Sequence, residues 1–151
     1  LGVEFLETVL MHHWPRFISI VTIALGSYDL IRGVVHTVLF GSVAAGFAGL
    51  DLAGPTGRDQ LVLMAAFGSS NFITGAALIY LGFNDRVGAL VLMAIIPVAL
   101  LTAGASITYW GGDLIGQGIF PGRRNMAVYV VVCVVTVIAS LWMRRRPMLR
   151  Y

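Results

Sequence analysis

Lysine is missing from this 151-residue chain, and all ten of its strongly basic residues are arginine. Cysteine occurs once, as Cys133, so no intrachain disulfide can form. Neither a CxxC nor a His/Cys ligand spacing stands anywhere in the chain, so a structural metal site is not expected. Charge of either sign is scarce, at 11% of residues, where soluble domains carry about 25%. Apolar residues reach 58%, against about 45–50% in soluble domains. A water-soluble fold of this composition would lack the polar residues to cover its surface. The bilayer is the solvent that suits it, and 151 residues fit a single domain, 1–151. The net charge of +3 would suit nucleic acid only if the arginines formed a stripe in polar surroundings. Most of them instead flank hydrophobic runs, where they anchor helix ends, so nucleic acid is excluded as a partner.

What is present is long hydrophobic runs. Apolar stretches of about 20 residues mark four spans, at about 17–40, 61–83, 87–110 and 126–143. Each is long enough to cross a ~30 Å core at 1.5 Å per residue. Pro15 opens the first in the first helical turn, where proline is tolerated, and Pro97 interrupts the third. Asn84-Asp85-Arg86 reads as a tight turn making its flanking helices antiparallel neighbours. Gly111 to Asn125, with five glycines and Pro121, reads as a loop. The expectation is an all-α integral membrane fold, four transmembrane helices in an antiparallel left-handed bundle. Before them, Val3, Leu6 and Leu10 lie on one face and Glu4 and Glu7 on another, a short amphipathic segment at the interface or against a partner. Residues 1–10 hold no basic residue, unlike a signal-peptide n-region. A start at Leu1 with Met11 nearby suggests a fragment or an unusual start codon.

Arginine asymmetry orients the spans. With both termini cytoplasmic, that side holds Arg16, Arg86, Arg144, Arg145, Arg146 and Arg150, and the other side Arg58, Arg123 and Arg124. Six against three places both termini inside a bacterial cytoplasmic (inner) membrane. Trp14, Tyr109, Trp110 and Trp142 at span ends fit an aromatic belt.

Small and polar residues recur inside the spans. Thr22, Gly26, Asp29, Gly33 and His36 follow one another in the first at steps of three and four, with Arg32 beside them. Gly68, Asn71, Gly75 and Gly82 do so in the second. Thr102 and Ser106 in the third, and Tyr129, Cys133, Thr136 and Ser140 in the fourth, extend the pattern. A 3.5-residue repeat keeps one seam turned to the neighbours. In lipid such a seam favours small residues for close approach and hydroxyls that bond across helices. All four stripes are therefore expected to face a common axis.

Asp29, Arg32 and His36 ask for more than packing. Asp29 falls near the middle of the first span, where a lone charge costs at least ~2.5–3.5 kcal/mol. The spacings i,i+3 and i,i+4 let the three bond along one face, and Asn71 at similar depth could complete a network. That set is either a ligand, ion or proton site or a polar clamp fixing helix register. His12 and His13 are adjacent, so they cannot both face one metal from a helix. Haem or pigment ligation by one of them is not required, and solvated interfacial histidines are the simpler reading.

The stretch Asn71 to Leu100 reads NFITGAALIYLGFNDRVGALVLMAIIPVAL. Through Gly75, Leu78, Gly82, Arg86 and Met93 it resembles the middle of DoxX-like small bacterial membrane proteins. There a G-x-x-L-x-x-G span end, a short turn with Arg and an Ala/Leu/Met-rich span follow one another. The acidic residue that often opens the motif is Asn71 here, and the first span has no match. The resemblance implies four helices and an accessory place in membrane oxidoreductase complexes. With no nucleophile–base pair and minimal loops, the chain reads as a non-catalytic accessory or structural subunit of a larger complex. Its partners would be lipid and other membrane subunits or copies of itself. Alternatives are a proton-coupled transporter using Asp29, and a quinone- or lipid-active membrane enzyme using Asp29 and His36.

Overall fold

The computed structural model describes residues 14–41, 53–111 and 122–145. The amphipathic segment with Glu4 and Glu7, the pair His12 and His13, most of the loop before Asn125, and Arg146 and Arg150 lie outside the described residues. Among the described residues there are four helices: α1 (Arg16–Thr37), α2 (Gly57–Asn84), α3 (Arg86–Gly111) and α4 (Gly122–Arg145). All four are long and apolar enough to cross a membrane. The chain is thus an all-α, multi-pass membrane protein.

The boundaries follow local chemistry. Pro15 is the residue before α1, with φ −58° and ψ 140°, one position earlier than expected. Its carbonyl accepts the Ile18 N–H at 3.2 Å. The break between α2 and α3 is the single residue Asp85. Its side chain accepts the Val87 N–H at 2.9 Å, and its carbonyl accepts the Ala89 N–H at 2.9 Å. The side-chain bond satisfies an amide that the first turn of α3 would leave unpaired, and the carbonyl accepts the first bond of the helix.

Glycine sets the closest contact. A Cβ on Gly26 would lie 2.7 Å from the Gly75 carbonyl oxygen, and one on Gly75 would lie 2.7 Å from that of Gly26. Gly82 faces Ser19 and Ile23, Gly33 faces Phe72, and Gly68 faces His36 and Thr37. Numbers rise along α1 as they fall along α2, so the two helices run antiparallel at this contact. Such close approach lets backbones gain dispersion contacts that lipid cannot match. The glycines therefore form a seam between two helices rather than lining an axis common to four.

The core cluster joins Trp14, Ile18 and Leu25 to Leu78, to Ala89, Leu90 and Met93, and to Tyr129 and Cys133. One end is tied by arginine: Arg86 donates to the Trp14 carbonyl at 3.0 Å and to the Ser19 hydroxyl at 3.1 Å. The Arg144 guanidinium stacks 4.9 Å from the centre of the Trp14 ring. The start of α1, the start of α3 and the end of α4 therefore meet. Around the perimeter, Ile20, Leu63, Ile73, Phe83, Ile95 and Val131 are exposed, a surface suited to hydrocarbon.

Two expectations need correction. Thr102 and Ser106 are exposed, like every residue from Leu101 to Trp110. The buried stripe of α3 is Ala89, Leu90, Met93 and Pro97, and it ends at the proline. Leu100 still packs against the core; from Leu101 to Trp110 the periodicity of α3 persists, but none of the described residues covers it. The aliphatic hydroxyls of the seam take their short bonds within their own helices. Thr136 donates to the Val132 carbonyl at 2.7 Å and Ser140 to the Thr136 carbonyl at 2.6 Å. Thr22 donates to the Ile18 carbonyl at 2.6 Å, with a longer contact of 3.7 Å to Met93 Sδ. Each finds an acceptor one turn back on its own helix, which is closer than any on a neighbour.

Candidate functional site

On α1, residues three and four apart stack on one face, and the polar set there is Asp29, Arg32 and His36. Arg32 Nη1 donates to Asp29 Oδ1 at 3.2 Å, with 4% of the Asp29 side chain and 14% of the Arg32 side chain exposed. The other carboxylate oxygen, Oδ2, accepts the Tyr129 hydroxyl of α4 at 2.7 Å. Both oxygens are therefore bonded. His36 Nδ1 lies 2.7 Å from the Arg32 carbonyl. A carbonyl only accepts, so that nitrogen is the donor in this contact.

Arg32 is held by more than its ion pair. Its guanidinium carbon lies 5.5 Å from the centre of the Tyr28 ring and 5.1 Å from that of Phe67 on α2. The ring faces are electron-rich, so each attracts the cation. His36 in turn meets Phe67 edge-on, with centroids 5.2 Å apart. Tyr28 and Tyr129 also approach each other, at 6.1 Å. The cluster thus joins α1, α2 and α4.

Asn71 is buried, but it is not part of this network. Its Nδ2 has no hydrogen-bond partner among the described residues. Tyr129 takes the place that the sequence suggested for Asn71. Of the other seam positions, Gly26, Gly33, Gly68, Gly75, Gly82, Tyr129, Cys133, Thr136 and Ser140 are buried. Sequence reasoning missed Tyr28 and Phe67 as partners of Arg32. Tyr28 was discoverable, one turn before Arg32; Phe67 depends on how α2 is rotated.

The cluster sits toward one end of α1. Asp29 is twelve residues from Phe17 and eight from Thr37, about 18 Å and 12 Å by helix rise. Beside it a groove of about 280 Å³ opens between α1 and α4, walled by Leu25, Tyr28, Val128, Tyr129 and Val132, with Arg124 and Asn125 at one end. Among the described residues, no three His, Cys, Asp or Glu side chains converge as a metal set.

Chemically, the arrangement neutralises a carboxylate and a guanidinium against each other within a helix otherwise built for lipid. Each Asp29 oxygen already accepts a hydrogen bond, and Tyr129 has committed its proton to one of them. No family model matches the chain, and no similar curated protein or solved structure was found.

Proposed function

We propose that this chain is a small non-catalytic accessory subunit of a larger protein complex in the bacterial inner membrane, with both termini cytoplasmic. The observation that carries the reading is the stretch of α3 from Leu101 to Trp110, which none of the described residues covers. Thr102, Ala103, Gly104, Ala105 and Ser106 are all exposed on an apolar helix, and a Cβ on Gly104 would meet nothing within 4 Å. The Thr102 and Thr108 hydroxyls are satisfied by carbonyls of their own helix, so desolvating this face leaves neither without a partner. Small side chains let a second transmembrane helix approach closely, and the occupant proposed here is a helix of another subunit. The closed Asp29–Arg32–Tyr129 cluster supports the same reading, because it serves rigidity without offering a reactive group. The DoxX-like stretch points toward an oxidoreductase or electron-transfer complex.

Cysteine at position 106 tests this directly. In native membranes, Ser106→Cys should give an oxidative adduct to a different polypeptide. Gly104→Leu should abolish co-purification while leaving the melting temperature of the chain intact. An adduct of two copies only, or none, would overturn the accessory role.

A proton-coupled carrier using Asp29 is the second reading, favoured by the Tyr129 contact beside a groove. It requires Asp29 to exchange its partners during transport. Loss of proton-linked flux in an Asp29→Asn variant that still folds would favour it over the first.

A further inference from the structure

The groove between α1 and α4 has a use that the ion pair does not supply. We propose that it is a binding site for an anionic phospholipid, with an acyl chain along Val128, Val132 and Leu25 and the phosphate on Arg124. Helical register puts Arg124, Val128 and Val132 on one face of α4, because residues four apart stack. By helix rise, the two valines lie about 6 Å and 12 Å deeper than the arginine. The groove is therefore polar at its mouth and apolar along its length, the polarity order of a lipid molecule.

Charge favours an anion at the mouth. Arg124 is exposed, no described carboxylate pairs with it, and the Asn125 amide beside it adds donors. Both residues stand in the first turns of α4, whose unpaired backbone N–H groups add partial positive charge. The volume, about 280 Å³, is at the small end of ligand sites and suits a length of acyl chain rather than a whole lipid. A neutral quinone fits less well. It would need a donor deep in the groove, and the Tyr129 hydroxyl there already donates to Asp29. Four membrane-length helices place the groove where phospholipid is the abundant amphiphile.

The test uses the purified full chain, stripped of lipid in detergent and titrated with phosphatidylglycerol or phosphatidylcholine of identical acyl chains. Bound lipid is counted by native mass spectrometry. The wild type should hold phosphatidylglycerol in preference, and added salt should weaken that preference. One arginine near a membrane surface contributes about 1 kcal/mol toward an anionic lipid, so Arg124→Gln should lower that affinity about fivefold, and Arg124→Lys should retain most of it. Val128 is 58% exposed, so Val128→Trp fills the groove without disturbing the core, and it should weaken binding of both lipids. Equal binding of the two lipids by the wild type would mean an unselective lipid annulus and overturn the site. So would a Val128→Trp variant that binds like the wild type.

Discussion

Arg32 carries a permanent charge on a helix whose outward residues suit hydrocarbon, and three partners make that tolerable. Asp29 neutralises it, while the rings of Tyr28 and Phe67 flank it. Breaking a buried pair by removing one member costs about 3–5 kcal/mol, because the other is left uncompensated. Asp29→Asn and Arg32→Gln should each lower the melting temperature in detergent sharply, and the double variant should lose less than the two losses added. Strict additivity would show that the two charges do not share their stabilisation. Arg32→Lys should not restore the wild type, since a compact ammonium lacks the planar group that stacks between rings. The Tyr129 bond is separable from the pair. Tyr129→Phe removes a single hydrogen bond to a charged group, worth about 1.5–3 kcal/mol. An unchanged melt in that variant would mean the contact is incidental.

Helices α1 and α2 meet where neither can carry a side chain. The two glycines at the crossing, Gly26 and Gly75, each place a backbone oxygen where the other's Cβ would be. Gly75→Ala should therefore force the pair apart, at the roughly 1–3 kcal/mol typical of overpacking, although alanine is the better helix former. Gly104→Ala is the contrast. It meets open space, so only helix propensity acts, and the isolated chain should be unchanged or gain up to about 0.5–1 kcal/mol. Chemical unfolding of the two variants measures both effects. Equal responses would mean that the α1–α2 contact is not the tight one. A similar division falls within α3 just after Pro97: its buried stripe ends at the proline, Leu100 is the last residue on the core, and Leu101 to Trp110 are left for lipid or a partner.

At the scale of the molecule, charge and contact agree about which ends belong together. Arg86 and Arg144 converge on Trp14, so the start of α1, the start of α3 and the end of α4 share one side. The sequence places its arginine excess on that side, which supports the proposal that this side is cytoplasmic. A reporter fused after Tyr151 should be active only as a cytoplasmic marker, and one inserted between residues 112 and 121 only as a periplasmic marker. The reverse pattern would invert the topology and move the mouth of the α1–α4 groove to the cytoplasmic leaflet.

Composition and local spacing determined the class of the protein and its chain-local contacts. Scarcity of charge and runs of about 20 apolar residues are enough to specify membrane helices, because lipid leaves the backbone few other ways to satisfy itself. The Asp29–Arg32 bond was legible for a similar reason: three residues of helix fix its geometry without help from the rest of the chain. Tyr129 was legible as a seam residue but not as the second partner of Asp29, a contact across 100 residues that exists only once α4 has a rotation and a height. The same ignorance of rotation let Asn71 seem a network member and let Thr102 and Ser106 pass for seam residues. Periodicity says which residues share a face. Only the packed helices decide what that face meets, because in lipid a small or polar stripe is equally compatible with a neighbour inside the chain and with one outside it.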